Sequence, residues 1–377
     1  MKNVEVDGLT IGDDHPPRVM GVVNVSKQSP YEPSVFNNPS DAIEYIQTDI
    51  IDEGADIVDI GLESANKRFD VLPPDKELER LETAVEIVQN IDDDIIFSIE
   101  TRYSEVANKA LSRGFDMVND ICGFADPDMP VICEDYNVPV VKMASPPDLE
   151  RPGALSSVDA IYEALKRGGF TSKTIVDPAF GGWSQDKTIE DDQETFRRLR
   201  EFQALNRPIL ISINRKNFLG EIVDRPTEER LPCSIAATSM AVERGVNIVR
   251  THDVKETVDA VQIGDALQSD RLRTGYITEL NVTSPDEVSR YVEQFDVNNV
   301  NQDIAIGRVY EITGISSELY KTVSSYSDRE NILIVGDRSR MVLGGSIDSI
   351  QSILETIQTE IGDLGKLEII YDHCKKH

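Results

Sequence analysis

Cysteine, histidine and tryptophan are nearly missing from this chain: four, four and one among 377 residues. Cys122, Cys133, Cys233 and Cys374 show neither close pairing nor C-x-x-C spacing. That argues against a disulfide framework or a zinc site, and reduced thiols in or near the core are expected. No stretch approaches the ~20 consecutive apolar residues that span a bilayer, and the first residues do not resemble a signal peptide. A soluble, cytoplasmic chain is expected. Basic residues are also short: 38 Lys and Arg stand against 68 Asp and Glu, for a formal net charge of −30. The acids are dispersed, as in Asp92-Asp93-Asp94 and Glu190-Asp191-Asp192, and do not form a tail. Such a surface speaks against duplex nucleic acid or an anionic membrane as partner. A salt-rich cytoplasm, as in a halophile, would screen its self-repulsion.

What is present is repetition. Eight short apolar runs in the first 270 residues each end in a polar cluster. The spacing predicts strands over 19–25, 56–61, 95–100, 115–121, 138–143, 173–178, 208–213 and 246–251. Their ends carry Asn24, Asp59 to Glu63, Glu100-Thr101, Asn119-Asp120, Lys142-Met143, Asp177-Pro178, Asn214-Arg215-Lys216 and Arg250 to Asp253. Helical spacing lies between the runs. Over 40–53, Ser40 is the predicted N-cap, Ile43, Ile46 and Ile50 form a stripe, and Gly54 ends it. Pro73-Pro74-Asp75 opens a helix over 75–90, and Gly114 stops one over 103–112. Strands and helices alternating in this way predict a (β/α)8 TIM barrel over residues 1–270. In that fold the strand C-termini gather on one face, where chemistry sits. Arg250 and His252, two apart on a strand, would point the same way and suit an anion. Asp120 and Asp253 read as caps of following helices, Glu63 as a bridge between barrel layers, and Trp183 as loop lid or packing.

Past residue 270 the pattern changes to a second, smaller α/β domain over 275–377. Strands are predicted near 276–282, 331–336, 341–345 and 367–371, and helices near 285–294, 304–323 and 346–361. Gly344-Gly345 lacks phosphate-loop spacing, so no role is assigned to this part.

Met20-Gly-Val-Val-Asn-Val-Ser26, Gly54-Ala-Asp-Ile-Val-Asp-Ile-Gly61, Met117-Val-Asn-Asp-Ile121, Asp177-Pro178, Asn214-Arg-Lys-Asn-Phe218 and Arg250-Thr-His-Asp-Val254 together resemble the dihydropteroate synthases of folate biosynthesis. The resemblance covers roughly residues 18–265. It implies a transferase that joins 6-hydroxymethyl-7,8-dihydropterin diphosphate to 4-aminobenzoate, or a related arylamine, and releases diphosphate with Mg²⁺. By resemblance Asp177 accepts hydrogen bonds from the pterin edge, Asn119 reads adjacent ring atoms, and Glu100 stands at the family's other aspartate position. Asp59 matches an acidic family position near the diphosphate loops. Lys216 would donate to the ring and flank the arylamine. Arg250 and His252 would hold the diphosphate, and Asn24 would contact both Mg²⁺ and phosphate. Lys216, Arg250 and His252 are thus the candidate catalytic residues, and a homodimer is expected.

The chain also departs from the family. Where the family usually has Gly-Gly-Glu-Ser-Thr-Arg-Pro-Gly, this sequence reads Gly61-Leu-Glu-Ser-Ala-Asn-Lys-Arg68, with Lys67 or Arg68 as shifted replacements for the loop arginine. Glu100 replaces an aspartate, Asn214 a serine, and Ala144 a histidine. The changes gather around the second substrate and spare most pterin-reading positions. Two other readings stay open: a pterin-binding methyltransferase, and a non-catalytic pterin-binding or regulatory protein.

Overall fold

The computed structural model describes residues 3–25, 34–36, 38–63, 71–149, 153, 155–181, 187–269, 271, 280–293, 301–327, 331–337 and 340–375. The chain divides into two compact units, Met1–Glu279 and Leu280–His377. The first opens with an antiparallel hairpin, β1 (Val4–Val6) and β2 (Leu9–Ile11). Eight parallel strands follow: β3 (Arg18–Asn24), β4 (Ile57–Gly61), β5 (Ile96–Thr101), β6 (Met117–Asp120), β7 (Val140–Met143), β8 (Thr174–Asp177), β9 (Leu210–Ile211) and β10 (Ile248–Thr251). They neighbour one another in the order β8-β7-β6-β5-β4-β3-β10-β9, and a parallel bridge between Val176 and Ile209 joins the two ends into a barrel.

Each strand is apolar on both faces because both are covered. Met20, Ile57, Ile96, Met117, Val141, Ile175, Leu210 and Ile248 point inward and form one ring, floored by Val4, Val6 and Ile11 of the hairpin. The alternate residues, among them Val19, Val58, Phe97, Val118 and Val249, belong to the larger core beneath the helices. Burying one such side chain contributes about 1.5–3 kcal/mol. The same alternation sends Lys142 outward. It is fully buried, donates to the carbonyl oxygens of Gly169 (2.9 Å) and Arg167, and sits over the Phe124 ring. Lys142 therefore braces the helix layer and does not join the strand-end cluster that the sequence grouped it with.

The helix expected over 40–53 is α-helical over Pro39–Tyr45 and continues as a π-helix over Ile46–Ile51. Asn38, not Ser40, is its cap and accepts from the Ser40 N–H at 3.2 Å. The helices Pro74–Gln89 and Ser104–Leu111 stand where Pro73-Pro74 and Gly114 predicted them.

The second unit holds a three-stranded antiparallel sheet: β11 (Gly307–Thr313), β12 (Ile332–Gly336) and β13 (Arg340–Ser346), with β13 in the middle. Helices Pro285–Val292 and Ile347–Ile361 match expectation. The helix expected over 304–323 is instead β11 followed by the helix Ser317–Ser324. The strand expected near 367–371 falls mostly in a helix, Glu368–Cys374, which buries Ile370 and Cys374. Of the strand expected near 276–282, residues 276–279 lie outside the described residues and 280–282 are not in a strand. Among the described residues no helix is long and apolar enough to cross a membrane.

Candidate active site

Side chains on one face of a strand recur every second residue. Two positions beyond the apolar ring, the inward residues of five strands are Asp59, Ser98, Asn119, Asp177 and Arg250; two further on come Asn24, Glu100 and His252. The candidates thus converge at the C-terminal mouth of the barrel because of strand period alone. Arg250 is the hub. Its Nε donates to Asp59 Oδ2 at 2.7 Å and its Nη2 to Glu100 Oε2 at 2.6 Å. Asn119 Nδ2 donates to the same Asp59 oxygen at 3.0 Å. Asp59 Oδ1 and Ser98 Oγ, both buried, have no hydrogen-bond partner among the described residues. Buried acceptors are normally satisfied, so the vacant Asp59 oxygen points to donors on a ligand.

Asp177 holds the Ala179 N–H on Oδ1 at 2.8 Å, which leaves its second oxygen for a ligand. Burial pushes its carboxyl up to about 6, against the pull of Lys216, Arg250 and Lys187. Burial raises Glu100 to about 7, opposed by Arg250 and reinforced by Asp59. Burial works against the charge of Arg250 as well, but Glu100 and Asp59 outweigh it and its pKa is raised. Lys216, at the start of the helix Asn217–Val223, is shifted down by burial, with Asp177 opposing. His252 falls to about 3 through burial and then the Arg250 charge. Burial and Arg250 together hold the imidazole neutral at ordinary pH.

His252 Nδ1 and Ser34 Oγ share a hydrogen bond of 3.1 Å, and Asn24 Nδ2 donates to the same hydroxyl at 3.2 Å. Ser34 was not legible as a site residue; it lies in a proline-rich connection with no periodic pattern. Asp120 accepts from the N–H groups of Cys122 (2.8 Å) and Phe124 (2.6 Å), so it braces a turn where a helix cap was expected. Asp253 makes no cap hydrogen bond either. It binds Arg215 through both oxygens (2.7 and 2.8 Å) and Asn214 at 2.7 Å. The Asn214-Arg215 pair is thereby tied to the strand-end Asp253, and only Lys216 of that motif is left to the mouth.

The connection after β4 is pinned at its stems. Glu63 forms an ion pair with Arg102 and accepts from the Leu72 N–H at 2.9 Å. Tyr103 donates to the Leu72 carbonyl at 2.8 Å. Glu63 therefore joins the β4 and β5 ends. Residues 64–70, including Lys67 and Arg68, and Trp183 lie outside the described residues.

Residues 20–252 match the family described as "Pterin binding enzyme". The chain belongs to the pterin-binding enzymes. Within that family it is 30% identical to dihydropteroate synthase of Bacillus subtilis over 257 residues, covering 66% of this chain and 88% of that one. A probable bifunctional folylpolyglutamate synthase/dihydropteroate synthase of Halobacterium salinarum is 33% identical over 263 residues, 67% of this chain. The matched part is only 31% of that relative, so the chain spans about a third of its length. A solved dihydropteroate synthase of Coxiella burnetii in complex with pteroic acid superposes with a TM-score of 0.60 at 29% identity, covering 71% of this chain and 99% of the other. The pterin-binding enzymes thus account for the barrel, and the described second unit lies beyond the matched residues.

Proposed function

We propose that the barrel is a dihydropteroate synthase, joining 6-hydroxymethyl-7,8-dihydropterin diphosphate to 4-aminobenzoate or a related arylamine with release of diphosphate. The observation that carries this is the Asp59–Arg250–Glu100 cluster with Asn119 beside it, at the mouth of a barrel whose residues 20–252 match a pterin-binding family. A pterin edge offers ring N–H and amine donors, which suit Asp177 and the vacant oxygen of Asp59. Lys216 donates to the ring's acceptor side and flanks the arylamine. Asn24, Arg250 and His252 receive the diphosphate, Arg250 by charge and His252 by hydrogen bond.

The reaction breaks the methylene C–O bond as diphosphate leaves with its electron pair. The arylamine nitrogen forms the new C–N bond and gives up a proton. Positive charge developing on the pterin is spread through its ring, and Asp177, ionised above about pH 6, faces it with negative charge. No covalent enzyme intermediate is needed.

Mg²⁺ fits this mouth. Asn24 Oδ1 would stand 3.0 Å, and Glu100 Oε1 3.7 Å, from a Cβ placed on Gly61, so hard oxygens line the space which that glycine leaves open. Asn24 would hold the ion together with substrate oxygens, and the ion would supply charge neutralisation to the leaving diphosphate. Diphosphate release in high salt with Mg²⁺, with and without 4-aminobenzoate, tests the reading. Aminobenzoate-dependent turnover is expected. Pterin binding without release would make the chain a non-catalytic binder instead.

A cytoplasmic, halophilic setting and a homodimer complete the reading. The halophilic part is supported by the net charge of −30, whose self-repulsion salt would screen. The homodimer is supported by Ile222, Val223 and Met240, exposed around a cavity of about 810 Å³ between the helices Ile189–Arg197, Asn217–Val223 and Leu231–Glu243. Sedimentation and thermal unfolding in one salt series check both. A dimer is expected, with a midpoint that rises from low to molar salt. A monomer throughout, or a flat midpoint, counts against the respective part.

A further inference from the structure

Lys187 and Asp192 lie outside the polar rings of the mouth, yet their side chains are only 1% and 7% exposed. They grip one short segment. Asp192, on the helix Ile189–Arg197, accepts the Gly181 N–H with both oxygens at 3.2 and 3.1 Å and pairs with the Lys187 ammonium at 3.1 Å. Lys187 also donates to the Ala179 carbonyl at 2.8 Å. Ala179 carries the strain, with φ of 60°, a region side-chain-bearing residues rarely adopt, while Gly181 takes its φ of 91° freely because it has no Cβ.

That segment serves two site residues at once. Its Ala179 N–H holds Asp177 at 2.8 Å. On the other side Lys216 fills the space where Gly181 has no Cβ: an added Cβ would stand 2.9 Å from Lys216 Cδ and 3.2 Å from Nζ. We propose that Lys187 and Asp192 are positioning residues for the reaction, an ion pair that holds the turn Ala179–Gly181 so that Asp177 and Lys216 meet the bound pterin from fixed points. The identity of the ligand rests on the function proposed above; the grip does not.

The charged groups acting on Lys216 are Asp177, Arg250, Asp192 and Lys187, and Glu100 and His252 also feel its charge. Within this set Asp192 raises the Lys216 pKa and Lys187 lowers it. A pair acting by charge alone would therefore shift Lys216 in opposite directions when one member or the other is lost, whereas a freed turn shifts it upward in both cases.

Competitive acylation with acetic anhydride across pH, read at Lys216 of the full chain by mass spectrometry, gives the titration midpoint of that amine without substrate. Lys187→Met and Asp192→Asn should both raise the midpoint toward the ordinary lysine value of 10.5, because each frees the turn and lets water reach Lys216. A fall for Asp192→Asn, or no shift in either variant, would mean that the pair acts on Lys216 by charge alone or not at all, and overturns the proposal. With pterin diphosphate, 4-aminobenzoate and Mg²⁺, both variants should also lose about tenfold or more in kcat. A wild-type chain that fails to turn over would remove the functional reading and leave the acylation result standing.

Discussion

Asp177→Asn should weaken binding of a pterin by about 2–3 kcal/mol, roughly 30- to 150-fold in Kd. The buried carboxylate keeps one oxygen on the Ala179 N–H, and an asparagine oxygen can keep that bond. The amide group would then replace the second oxygen and set a donor against donors on the pterin edge. The fold should survive, because the turn-holding contact does, and a thermal midpoint close to that of the wild type is the internal control. Calorimetry with 6-hydroxymethylpterin measures the loss, and a Kd within threefold of the wild type would remove Asp177 from the pterin site. The same titration has a pH signature. With its pKa near 6, Asp177 is charged above that pH and protonated below it, so wild-type affinity should fall as pH drops from 7 to 5. The asparagine variant should lack that component of the fall.

Arg250→Ala should be the most damaging single change, because it strands two carboxylates. Asp59 is fully buried and the Glu100 side chain is 9% exposed, and each receives one arm of the guanidinium. Removing one partner of a buried ion pair costs about 3–5 kcal/mol. The cost should grow with pH. Glu100 titrates near 4.5 unfolded and near 7 folded, so the native protein binds the extra proton and loses stability as pH rises through that window. Without Arg250, which holds its pKa down, the window reaches higher still. Urea unfolding at pH 6 and pH 8 should therefore show the larger deficit at pH 8. In binding, the variant should lose at least ~10-fold more affinity for the pterin diphosphate than for the bare pterin. Equal losses for the two ligands would mean that Arg250 serves the ring and not the anionic tail.

The barrel could be read from the chain because its strands are covered on both faces and announce themselves as apolar runs with polar ends. Inward or outward direction follows once one residue of a strand is placed, which is why Asp59, Asn119, Asp177 and Arg250 meet. The pairing of Arg250 with Asp59 and Glu100 spans 191 and 150 residues, and no local pattern encodes it. Lys187 and Asp192 escaped notice for a similar reason: they act through backbone groups of Ala179 and Gly181, which any sequence carries. In the second unit the misreadings have a different cause. Arg308-Val309-Tyr310-Glu311-Ile312 alternates, but its Val309 side is 70% exposed, so the run lacked the two-sided apolar cover that marked the barrel strands. Leu367, Ile370 and Cys374 are buried three and four residues apart, a helical stripe hidden among β-branched and aromatic residues.

The barrel has a weak stave. β9 contributes two residues, and among the described residues β8 reaches it by one bridge, from Val176 to Ile209. Asp177 follows directly on one side of this seam, and Lys216 stands beyond the other. The two groups that flank the proposed pterin therefore hang on the least hydrogen-bonded joint of the cylinder.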